Sequence, residues 1–102
     1  MKLMHIMLAA TALVSAPAFA SKELASKSAC MACHAVDRKL VGPSFQDVAK
    51  KYNSQKDAQA ALAGSIKNGG AGKWGPVPMP AQGALSESDA KTLAAWVLAG
   101  AR

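Results

Sequence analysis

The sequence predicts a small all-α domain of four to five helices packed around a covalently attached group, and three observations predict it. Apolar residues recur at three- and four-residue spacing in separate stretches along the chain, several of them preceded by a serine that can cap a helix. No stretch alternates apolar and polar residues convincingly enough to read as a strand. Finally, Cys30-Met31-Ala32-Cys33-His34 is a C-x-x-C-H run, the attachment signature of a c-type haem.

The amino terminus comes first. Met1-Lys2 is a short basic start, Leu3 to Val14 is mostly apolar, and Ala18-Phe19-Ala20 is an A-x-A cleavage signal. Residues 1–20 therefore read as a secretory signal peptide cleaved after Ala20, too short to span a membrane. The mature domain is expected to run over residues 21–102, with no room for a second domain. A chain this small rarely stabilises itself by apolar burial alone, and a buried haem supplies both staple and core.

Within the mature chain, Lys22 to Cys33 carries Leu24, Ala25, Ala29 and Ala32 as a weak helical stripe that delivers the C-x-x-C-H run at its end. Gly42-Pro43 marks a turn. Ser44 caps a helix to about Tyr52 with Phe45, Val48 and Ala49 inward. Ser54-x-x-Asp57 opens the next, where Ala58, Ala61, Leu62, Ser65 and Ile66 recur until Gly69-Gly70 stops it. Gly69 to Leu85 is rich in glycine and proline and is expected to hold no regular structure for long. Ser86-x-x-Asp89 begins a last helix carrying Ala90, Leu93, Ala94, Val97 and Leu98, ended by Gly100.

The chemistry of the C-x-x-C-H run follows from its spacing. Cysteines three apart share one face of a helical turn, so both sulfurs can bond the two vinyl groups of one haem, and the next residue, His34, reaches the iron as proximal ligand. Other uses of the motif fit less well. A thioredoxin-like pair sits beside a βαβ pattern, which is absent. Tetrahedral zinc needs four ligands, and the mature chain has two cysteines and one histidine. A disulfide between Cys30 and Cys33 would close a very small loop, although an exported protein permits one.

The second axial ligand is sought in the Gly/Pro segment, whose length suits a functional loop. The mature chain has two methionines, and Met31 sits between the attachment cysteines. Met79, stiffened by Pro78 and Pro80, is left as the sixth ligand. The alternative for Met79 is a core methionine filling a gap.

Net charge is +6 for the whole chain and +5 once Lys2 is lost. A basic balance suits nucleic acid, a membrane surface or an acidic protein. The charges are scattered and the protein is exported, so an acidic protein partner is expected, with no nucleic acid and no stable membrane insertion.

With these residues in view, the chain resembles class I cytochromes c, and in particular the small bacterial cytochrome c-551 group. The resemblance rests on the C-x-x-C-H run, Val41-Gly42-Pro43, Ile66-Lys67-Asn68-Gly69, Trp74-Gly75-Pro76-Val77-Pro78-Met79-Pro80 and Leu93-Ala94-Ala95-Trp96-Val97-Leu98, which together span nearly the whole mature chain. It implies a monohaem fold in which the first and last helices cross, with one haem edge exposed. It further implies that the Pro43 carbonyl accepts from the ring N–H of His34, that Trp74 donates its indole N–H to a haem propionate, and that Trp96 packs where the helices cross. The chain departs from the group where Ser65 stands in place of an arginine, where Leu24 lacks an aromatic neighbour, and by one extra residue around Gln82-Gly83.

Function follows from the ligand set. Histidine and methionine on one iron leave no open position for substrate, and a thioether favours Fe(II). The expectation is a monomeric periplasmic electron carrier, not an enzyme, with one haem c held by Cys30 and Cys33. Its partners would dock at the exposed haem edge: a nitrite reductase, a terminal oxidase or a membrane cytochrome complex. The alternative is a haem-based sensor or peroxidase-like enzyme in which Met79 leaves the iron readily. A disulfide-exchange protein without haem is a third reading.

Overall fold

A computed structural model describes residues 18–102. Among these, four α-helices enclose one core: α1 (Ala18–Lys27), α2 (Phe45–Tyr52), α3 (Ala58–Asn68) and α4 (Glu87–Leu98). The chain is mainly helical, as expected. The signal-peptide reading falls mostly on residues outside the described ones; α1 starts at Ala18 and runs through the Ala20–Ser21 junction.

Two helices begin where serine placed them. The Ser44 and Ser86 hydroxyls accept from the backbone N–H groups of Asp47 and Asp89, each at 3.0 Å, satisfying one orphan donor at each helix start. α4 ends in a Schellman turn: Ala101 N–H donates to the Trp96 carbonyl and Gly100 N–H to that of Val97, with Gly100 at φ 92°. The start of α3 differs from expectation. Asp57 is its N-cap but makes no capping bond with its side chain, and its carboxylate instead accepts from Gln55 Nε2 at 3.2 Å.

The first helix is shorter at its end than the apolar stripe implied. It stops at Lys27, and Ala29 adopts the left-handed conformation at φ 61°, which no α-helix tolerates. Cys30–Ala32 then forms a separate 3-10 turn. The break uncouples the direction of the cysteine motif from the axis of α1.

The Gly/Pro segment also corrects the expectation of no strand. Gly70–Gly72 (β1) and Gly75–Met79 (β2) pair antiparallel, Gly70 opposite Met79 and Gly72 opposite Gly75, with Lys73-Trp74 as the turn. Pro76 and Pro78 lack N–H donors, yet β2 has a partner on one side alone and so tolerates them. Residues of β1 are exposed, and in β2 Gly75 and Met79 are the half-buried ones.

α4 packs against α1, α2 and α3 and supplies the centre of the core with Ala90, Leu93, Ala94, Trp96 and Val97. Phe45, Val48 and Tyr52 meet it from α2, and Leu62, Ala63 and Ile66 from α3. Trp96 is buried with its ring edge-on to Phe45 at 5.3 Å. Its indole nitrogen is buried without a hydrogen-bond partner among the described residues.

Candidate haem-binding site

Between the helices and the hairpin lies a cavity of about 360 Å³, lined by Cys30, Cys33, His34, Trp74 and Met79 together with apolar side chains such as Leu62 and Leu93. With Pro43, which also lines it, the candidate residues therefore come together although they derive from three separate segments.

The cysteine motif is a single tight turn. The Cys30 carbonyl accepts from the N–H groups of both Cys33, at 3.2 Å, and His34, at 3.0 Å. That turn puts the thiols of Cys30 and Cys33 on the cavity lining, both free. Burial pushes the Cys30 thiol above its ordinary pKa. A disulfide-exchange cysteine needs the opposite, a stabilised thiolate. Among the described residues no three His, Cys, Asp or Glu side chains gather as a metal site, so the zinc reading has no geometry behind it.

His34 is held from three sides. Its Nδ1 lies 2.7 Å from the Pro43 carbonyl oxygen. A carbonyl can only accept, so Nδ1 carries the proton, which in the neutral ring leaves the lone pair on Nε2, as a metal-ligating imidazole requires. One ring face stacks on Phe45 at 5.2 Å and 22°. Gly42 closes against the ring so tightly that a Cβ there would fall 2.5 Å from His34 Cε1 and 2.9 Å from Nδ1. The Gly42–Pro43 segment is pinned in turn by Gly42 N–H donating to the Cys33 carbonyl at 2.8 Å. Sequence reasoning read Gly42 as turn material; its contact with the imidazole is visible only in three dimensions.

Met79 ends β2, half-buried, with its backbone braced by α3. Gly69, at φ 74°, packs so closely that a Cβ would fall 2.6 Å from the Met79 carbonyl oxygen. Gln82 N–H donates to the Ile66 carbonyl at 3.0 Å, returning the chain from hairpin to α3.

Trp74 sits in the hairpin turn, 38% exposed, with the Lys51 ammonium 4.5 Å from its ring centre. Ser65 lines the cavity with its hydroxyl donated back to the Ala61 carbonyl at 3.2 Å. Two lysines, Lys39 and Lys73, line the same cavity.

An apolar cavity bearing two free thiols, an imidazole fixed in its metal-binding tautomer and a thioether defines a protein built to hold a haem. Comparison with known proteins narrows this further. The cytochrome c family profile matches residues 20–101. The chain is 54% identical to cytochrome c-551 of Pseudomonas denitrificans, over 76% of this chain and 93% of that protein. It is also 54% identical to cytochrome c-552 of Hydrogenobacter thermophilus, over 78% and 81%. The crystal structure of Nitrosomonas europaea cytochrome c552 superposes with a TM-score of 0.76 at 48% identity, covering 78% of this chain and 98% of that one. The chain belongs to the cytochrome c family. It is a small electron-transfer cytochrome with one covalent haem c, and not an enzyme. No helix among the described residues is long and apolar enough to cross a membrane.

Proposed function

We propose that this cytochrome is a monomeric periplasmic carrier of single electrons, with its haem bonded to Cys30 and Cys33 and its iron ligated by His34 and Met79. The observation that carries the ligand reading is the bond from His34 Nδ1 to Pro43, which leaves Nε2 as the donor nitrogen in a cavity that Met79 shares. When bound, the haem supplies a one-electron Fe(III)/Fe(II) couple. Hydrogen-bond donation to Pro43 makes the His34 imidazole a stronger donor and fixes its plane. The Met79 thioether favours the less charged iron state and so raises the potential. Buried Leu62, Ile66, Leu93 and Val97 make the helical walls of the same cavity apolar.

Docking falls to the rim. Val41 is 55% and Val77 59% exposed, and both also line the cavity, giving a small apolar contact where the prosthetic group would come nearest the surface. Lys39 lines the same cavity and Lys27, Arg38 and Lys67 belong to neighbouring segments, so an acidic partner would be steered there. A brief contact of this kind suits a nitrite reductase, a terminal oxidase or a membrane cytochrome complex as the partner. The Trp74 indole N–H is assigned to a haem propionate, since the residue lines the cavity at its exposed end.

The test is Met79→Ala in the haem-loaded protein. The oxidised variant is expected to lose the sulfur-to-iron charge-transfer band and to show a lowered potential. A band that survives the substitution would mean that another residue ligates the iron.

A further inference from the structure

One wall of the cavity is not helical: the β1–β2 hairpin that carries Met79. Its Met79 end is braced by backbone, through Gly69 and the Gln82–Ile66 bond. Its turn end is fastened by side chains. Lys73 Nζ donates to the Tyr52 hydroxyl at 2.6 Å and lies 4.1 Å from the Tyr52 ring centre. Lys51 Nζ donates to the Lys73 carbonyl at 3.2 Å and lies 4.5 Å from the Trp74 ring centre. Two consecutive residues at the end of α2 thus grip the two residues of the turn.

The grip joins parts of unequal stability. Tyr52 is 2% exposed, packed in the core and on the cavity lining, so it is an immobile anchor. The hairpin, made largely of exposed glycine, proline and alanine, buries little apolar surface of its own, which puts it among the segments that open first. Its attachment at the turn then depends heavily on the cation–π and hydrogen-bond contacts that Lys73 makes.

We propose that Lys73 and Tyr52 form a latch that keeps the Met79 hairpin closed on the cavity and thereby sets how often Met79 leaves the iron. Lys73 is a positioning residue, acting through the hairpin rather than by touching the metal. The proposal rests on the reading of Met79 as an iron ligand. Contacts of this kind shift an opening equilibrium by roughly three- to thirtyfold.

The experiment measures the limiting rate at which excess imidazole replaces the sixth ligand in the oxidised, haem-loaded protein. Lys73→Met, which removes both contacts, is expected to raise that rate about tenfold, and Tyr52→Phe, which removes the acceptor and keeps the ring, about threefold. The double variant should react no faster than Lys73→Met, because both changes break one interaction. Lys73→Arg should restore most of the slow rate, since a guanidinium also sits over a tyrosine ring. A merely structural role would lower the denaturant midpoint of each variant and leave the limiting rate alone. Rates within twofold of the unsubstituted protein, with its sulfur-to-iron band present, would overturn the latch by itself. Absence of that band from the unsubstituted protein would overturn the Met79 reading and the latch with it.

Discussion

Gly42→Ala isolates one contact at the centre of the site. Gly42 does not occupy the left-handed region, so the main effect of alanine there comes from the added methyl group. That methyl would lie 2.5 Å from His34 Cε1, 2.9 Å from Nδ1 and 3.1 Å from Nε2, against the whole ring rather than one flexible tip. The imidazole cannot swing away freely, because Phe45 stacks on it at 5.2 Å and Pro43 holds Nδ1 at 2.7 Å. Either the ring shifts and the hydrogen bond weakens, or the 42–43 segment moves and strains the Gly42–Cys33 bond. Overpacking at such a site costs about 1–3 kcal/mol, and a weakened hydrogen bond about 1 kcal/mol more. In a domain of this size each kcal/mol lowers the melting temperature by roughly 4–8 °C. Loss of the Nδ1 bond also makes the imidazole a poorer donor to Fe(III), so the potential should rise. Thermal unfolding and potentiometry of the haem-loaded variant read both effects. Gly64→Ala is the control: it lies inside α3 with nothing within 4 Å of its Cβ position, and should be neutral or stabilising by about 0.5–1 kcal/mol. Equal melting temperatures and potentials for Gly42→Ala and the unsubstituted protein would refute the claim that Gly42 positions the histidine.

Further outcomes follow from the same geometry. Ser86→Ala removes the cap on α4, the helix that contacts the other three, and should cost about 1 kcal/mol in denaturant unfolding with the potential unchanged. Electron transfer to an acidic partner should slow as salt rises, because the Debye length falls from about 30 Å at 0.01 M to 10 Å at 0.1 M, and Lys39→Glu should slow it at low salt with the spectrum intact; a rate indifferent to both would assign docking to the apolar rim alone. Gln82→Val should move the haem-methyl NMR shifts if the Gln82 amide reaches the Met79 sulfur, three residues upstream, and leave them unmoved if that amide is solvated.

What could be read from sequence, and what could not, divides by the range of the interactions. The Ser44 and Ser86 caps are local bonds across three residues, so their helices start where expected. That Cys30, Cys33, His34 and Met79 line one cavity was legible because so few side chains in residues 21–102 suit haem or its iron. The hairpin was not legible: glycine and proline carry no strand preference, and Gly70 pairs with Met79 through a turn that only the folded chain defines. The break at Ala29 was hidden for a related reason, since alanine is the strongest helix former and carries no local signal for its φ of 61°. The closeness of Gly42 to His34 and the hold of Lys73 on Tyr52 are contacts across eight and twenty-one residues, with no periodic signal to announce them.

Cys30 and Cys33 are expected to carry one haem in a processed, exported chain. Intact-mass analysis of the protein recovered from the periplasm tests it most directly. The expected result is a chain beginning at Ser21 with the mass of one haem added and neither cysteine open to alkylation. Active protein in which both Cys30 and Cys33 alkylate as free thiols would contradict it.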